Sequence, residues 1–136
     1  MKNTIKNQRG VAAVEFALIL IPLVLLVFGT IEFGTLLYDK AVITNASREG
    51  ARSGIVFVAD GTVGDADIVD VVNTYCSNNM ISLGGGSSVS TTITRAEPFL
   101  TVRVAYRYNF LVLPSFVASL AGGINLQAET VMRMEG

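Results

Sequence analysis

Hydrophobic positions are unevenly spread along this chain. Residues 11–31 carry only Glu15 and Thr30 as polar side chains in an otherwise apolar run. That is about the 20 residues an α-helix needs to cross the hydrocarbon core of a bilayer. Pro22 has no amide to donate to the Leu18 carbonyl, so a mild kink is expected there. In lipid such a loss is tolerated where neighbouring helices pack around it. Beyond residue 31 the pattern turns amphipathic. Phe33, Leu36, Leu37, Ala41, Ile43 and Ala46 alternate with Asp39, Lys40, Asn45, Arg48, Glu49 and Arg52. Only Gly29, Gly34, Gly50 and Gly54 weaken the helix, each by about 1 kcal/mol against alanine. The spacing predicts helix over residues 32–58, forming one rod with the apolar run or two collinear helices.

The glycines of Asp60-Gly61-Thr62-Val63-Gly64 predict a loop. Asp65 is placed to cap a second helix over residues 65–79, with Ile68, Val72, Tyr75 and Cys76 on one face. Gly84-Gly85-Gly86-Ser87-Ser88 breaks the pattern, and the period then changes to two. Strands are predicted over residues 89–96, 99–109 and 124–135. In the middle one, Val102, Val104, Tyr106 and Tyr108 face one way, while Thr101, Arg103, Ala105 and Arg107 face the other. Leu126, Ala128, Thr130 and Met132 alternate likewise in the last. Pro114-Ser115 begins a short helical turn that ends at Gly122-Gly123. Three strands with one apolar face must lean on a helix to be stable. The expected fold is therefore α+β: a long N-terminal helix packed on a small three-stranded antiparallel sheet, with a second short helix.

Composition narrows the function. The 136 residues are 51% hydrophobic, with ten basic and eleven acidic side chains, so nothing in the charge balance points to nucleic acid. There is no histidine, the commonest general base and metal ligand. Cys76 is the single cysteine, allows no internal disulfide, and reads as a small buried hydrophobe. Asp65, Asp67 and Asp70 lack the spacing and later glutamate of an EF-hand and suit the first turns of a helix instead. The glycine run at residues 84–86 follows no strand and opens no helix, unlike a phosphate loop. Arg103 and Arg107 beside Tyr106 and Tyr108 fit a strand with one solvated and one buried face. No metal site, cofactor or catalytic constellation is expected.

The opening ten residues carry Lys2, Lys6 and Arg9 and no acid, and they end in Gly10. By the positive-inside rule this leader stays cytoplasmic and residues 32–136 lie outside the membrane. A basic leader ending in glycine, a carboxylate five residues on, and an immediate apolar helix together resemble the prepilin-peptidase signal of type IV pilins and their relatives. The resemblance implies cleavage between Gly10 and Val11 that leaves the apolar segment in place. A secretory signal would lose that segment after a small-x-small site, and Val27-Phe28-Gly29 is a poor one. An uncleaved anchor is the other alternative. Glu15 could snorkel to the headgroups. Held within hydrocarbon it would need a partner. In pilin-like assemblies that partner is thought to be the N-terminal amine of a neighbouring subunit.

The resemblance extends further. Glu15-Phe16, Pro22, Phe28-Gly29, Glu32-Phe33-Gly34 and Ala46-Ser47-Arg48-Glu49-Gly50-Ala51-Arg52 are similar to the N-terminal region of TadE-like proteins, pseudopilins of the tight-adherence (Tad/Flp) pilus system. TadF-like pseudopilins share the signal and the size. The likeness implies a bacterial inner-membrane protein with one span and an extracytoplasmic domain. Its implied partners are prepilin peptidase, other pilins and pseudopilins, and the pilus assembly platform. Its implied role is pilus biogenesis, secretion and surface adherence. Without the family, Ala46, Gly50 and Gly54 still form a stripe of small residues that admits a close neighbour, either the domain's own sheet or another subunit. Arg48 and Arg52 share a face, and Glu49 is spaced to pair with Arg52. The rival readings are an unprocessed membrane-anchored binding protein and an anchored hydrolase; the latter lacks catalytic residues.

Overall fold

The computed structural model describes residues 4–58, 61–85, 88–111 and 123–134. Helix α1 runs unbroken from Thr4–Gly54, through Pro22. A two-residue hairpin, β1 (Phe57–Val58) and β2 (Gly61–Thr62), separates it from helix α2 (Asp65–Asn79). Strands β3 (Ser90–Ala96), β4 (Phe99–Tyr108) and β5 (Ile124–Arg133) then form an antiparallel sheet in sequential order. This is the expected α+β arrangement. The expected turn at Pro114-Ser115, up to Gly122, lies outside the described residues, as does Gly86-Ser87.

Three local expectations are corrected. The first helix stops at Gly54 and does not reach residue 58. Ile55-Val56-Phe57-Val58 is a β-branched and aromatic run that suits extended backbone, and its last two residues pair with Gly61 and Thr62 inside the expected loop. Asp65 does not cap α2: Gly64 is the N-cap residue, with no side-chain cap bond. The Asp65 carboxylate instead accepts from Arg95, whose Nε lies 2.9 Å away, while Arg95 Nη2 donates to the Val63 carbonyl at 2.7 Å. Glu49 and Arg52, both exposed, form no ion pair among the described residues.

The core lies where the C-terminal half of α1 crosses one face of the sheet, with α2 alongside. Ile43, Ala46 and Ala51 of α1 meet Ile68, Val72 and Cys76 of α2 and Leu100, Val102, Val104, Tyr106 and Tyr108 of β4. The alternation along β4 follows from its period of two: each even-numbered residue from Leu100 to Tyr108 is buried. The opposite face of β4 carries Arg103, which reaches Glu129 on β5 at 2.5 and 2.8 Å. The pair is exposed, so it contributes little to stability. The small-residue stripe is absorbed by the domain itself. A Cβ on Gly50 would lie 2.6 Å from Val72 Cγ2, and one on Gly54 would lie 2.5 Å from Ile68 Cδ1 and 2.6 Å from Leu100 Cδ2. Glycine is what lets α2 and β4 come this close to α1.

Candidate anchoring and assembly surface

Helix α1 has two halves with opposite relations to the rest of the molecule. Its apolar half is bare: Val11, Val14, Phe16, Leu18, Ile19, Ile21, Leu23, Leu26 and Ile31 are all at least half exposed. The most apolar 18-residue window has a mean hydropathy of 2.8 and no buried residue. Among the described residues nothing covers this surface, so removing it from water needs a bilayer or other subunits. Gly10 has nothing within 4 Å of where a Cβ would stand, and it is helical. Glu15 is exposed on the same bare surface.

Just after the apolar run the helix is tied to the domain by polar groups. Glu32 is only 1% exposed, and its Oε1 accepts from the backbone N–H of Leu111. Tyr108 Oη hydrogen-bonds Thr35 Oγ1 at 2.6 Å and donates to the Glu32 carbonyl at 3.3 Å. One turn further out, Lys40 donates to the Gln127 carbonyl of β5. Asp39 is fully buried; its Oδ1 accepts from the Ile81 N–H at 3.0 Å, and its Oδ2 has no partner among the described residues. Further out, Ser47 Oγ meets Thr130 Oγ1 of β5 at 2.7 Å. Burial pushes the Cys76 thiol above its ordinary range, and the charge of Asp39 adds to this. A thiol so placed is inert, as expected of a packed cysteine. Burial likewise raises the Tyr108 phenol, partly opposed by its bond to Thr35.

The residues singled out by sequence therefore divide. Glu32 and Gly50 face the domain and are used by the fold. Phe16, Phe33, Gly34, Arg48, Glu49 and Arg52 are exposed, and Gly34 has open space where a Cβ would be. Gly10, Val11 and Glu15 lie exposed on the bare half of α1, away from the described part of the domain. Sequence reasoning missed Asp39 and Thr35 as domain contacts. The signal lay in the spacing 32, 36, 39, 43, 46, 50 and 54, steps of three and four that place two acids in the buried stripe. Two shallow grooves flank α2. One, of about 390 Å³, is lined by Glu49, Asp70, Thr74 and Tyr75 among others, and one, of about 380 Å³, includes Cys76, Met80 and Tyr106. Among the described residues no group of three His, Cys, Asp or Glu is placed to hold a metal ion.

Among the described residues, fold and surface together define one candidate membrane-anchor helix carrying an α+β domain at its C-terminal end. Residues 10–52 match the family described as TadE-like protein. This segment is thus similar to TadE-like proteins, a family tied to Tad pilus systems. It covers α1 from Gly10 to two residues short of the helix end, and none of α2 or the sheet. No curated protein and no solved structure matches the chain.

Proposed function

We propose that this chain is a minor pseudopilin of a Tad/Flp-type pilus assembly and secretion system, cut by prepilin peptidase between Gly10 and Val11. It stays in the bacterial inner membrane through residues 11–31, with the domain outside, and supports pilus biogenesis and surface adherence. One observation carries this reading: the TadE-like likeness starts at Gly10, the glycine of the proposed cleavage site, and follows α1 to Arg52. The likeness is thus to the shaft and its domain-facing seam, the part that a common machinery would handle. The exposed motif side chains Phe16, Arg48, Glu49 and Arg52 are then the surface offered to other pilins, pseudopilins and the assembly platform. Cleavage requires the helix to open at Gly10, and glycine costs about 1 kcal/mol less to unwind than alanine.

Mass spectrometry of the N-terminus, on protein taken from cells that build the pilus, tests this directly. The expected mature chain begins at Val11 and carries an N-methyl group. An intact Met1 overturns the reading in favour of an unprocessed anchored binding protein, and a new terminus near Thr30 in favour of a secretory signal.

A further inference from the structure

The two ends of the domain both expose apolar side chains, Phe99 and Val131 among those far from the span, but they differ in charge. Glu32 directly follows the apolar run of residues 11–31, and its carboxylate accepts from the Leu111 N–H, which fixes Leu111 at the level where the run ends. Leu111 is nevertheless 62% exposed, and Phe33, beside Glu32 on the helix, is 56% exposed. Leu83 joins them: the next residue, Gly84, packs against the Asn109 carbonyl and the Leu111 amide, and Leu83 itself is 40% exposed. Ile124, opposite Tyr108 in the sheet, completes this apolar rim. From Leu111 to Gly123 the sequence holds no charged residue.

Charge is distributed the other way. The acids of the rim, Glu32 and Asp39, are both buried. The exposed carboxylates stand further out. Glu49 is 17 residues along α1 from Glu32, roughly 25 Å at helical rise. Asp65 and Glu97 lie by the β3–β4 turn, and Glu129 pairs with Arg103, five positions up the sheet from Tyr108. Arg107, one residue from the lower end of β4, is the exposed charge nearest the rim on the sheet. Four exposed apolar side chains level with the end of a membrane span, with a cation above them and the anions far off, match the layering of a phospholipid interface.

We propose that this rim, formed by Phe33, Leu83, Leu111 and Ile124, sits in the headgroup–acyl boundary of the bilayer that α1 crosses, so that the domain rests on the membrane rather than standing clear of it. The occupant is the lipid surface because Phe33 and Leu111 stand exposed where the bare apolar run of residues 11–31 ends. Contact with lipid at two places, span and rim, fixes the tilt of α1 and the side of the domain presented to partners. This rests on the reading of residues 11–31 as a membrane anchor.

The chain contains no tryptophan, so a single introduced indole reports its own surroundings. The full chain would be reconstituted in phosphatidylcholine–phosphatidylglycerol vesicles with brominated acyl chains. Leu111→Trp and Leu83→Trp are compared with Phe28→Trp in the span and Phe99→Trp at the far end. Expected is strong quenching at Phe28→Trp, and quenching of both rim indoles at least about twofold above Phe99→Trp, with blue-shifted emission. Quenching at Phe28→Trp with rim indoles no more quenched than Phe99→Trp overturns the proposal and leaves the anchor standing. Rim indoles shielded from aqueous iodide yet unquenched by bromolipid also overturn it, since protein then covers the rim. No quenching at Phe28→Trp removes the anchor and the proposal with it. Leu83→Trp keeps the test open if Leu111→Trp disturbs the Glu32 contact.

Discussion

A methyl group added at Gly50 would lie 2.6 Å from Val72 Cγ2, 3.4 Å from Ile68 Cγ2 and 3.5 Å from Val102 Cγ1. Val72 is β-branched on a helix, so its side chain has almost no second rotamer into which to retreat. Overpacking of this kind costs about 1–3 kcal/mol, against about 1 kcal/mol gained from replacing a helical glycine. At Gly34 nothing stands within 4 Å, and only the gain remains. Gly50→Ala is therefore expected to lower the thermal midpoint of the detergent-solubilised chain and Gly34→Ala to raise it. Shifts of the same sign would show that the close approach of α2 is not what Gly50 serves. The sequence displays the four-residue spacing of Ala46, Gly50 and Gly54 but not the neighbour. Small residues admit any close surface, and only the fold shows that α2 and β4 take this one.

At the scale of elements, the fold class was legible because period does most of the work. A period of two marks β4, and a 3.6-residue period marks α2 through Ile68, Val72 and Cys76, all buried. The buried face of α1 was not legible from apolarity. Phe33 and Leu37 are exposed while Glu32 and Asp39 are buried, because the polar groups there serve backbone amides of the loops that follow α2 and β4. Asp39, outside the apolar span, shows the cost of that solution. Burial raises its pKa from the ordinary 3.8, opposed in part by the Ile81 N–H. A carboxyl whose pKa is higher folded than unfolded stabilises the fold fully below the ordinary value. That contribution is lost as pH rises through the folded value. Asp39→Asn keeps an oxygen for Ile81 and never ionises. Thermal midpoints of wild type and Asp39→Asn are expected to converge in acid and to separate towards neutral pH, with the variant the more stable. Parallel curves over that range would mean that the buried carboxylate is not ionising against the fold.

For the whole molecule, the bare half of α1 sets the terms. The domain satisfies its own core and its own polar groups around Glu32, whereas the described structure gives Glu15 no contact with the domain. A carboxylate kept within hydrocarbon costs a few kcal/mol unless a cation or donor meets it. Cleavage after Gly10 would create such a cation at Val11, one helical turn from Glu15 and so at the depth where a neighbouring subunit's carboxylate would stand. Glu15→Val removes the need for a partner and the means of choosing one. It should leave cleavage intact, since the cut lies five residues earlier, and should lower recovery of the mature chain in pilus or secretion complexes. An interaction of a few kcal/mol corresponds to a loss of at least about tenfold. Quantifying the Val11 N-terminus in the membrane and in purified complexes separates the two steps. Reduced cleavage would place Glu15 in peptidase recognition, and normal recovery of Glu15→Val in complexes would end the case for it as the residue that registers subunits.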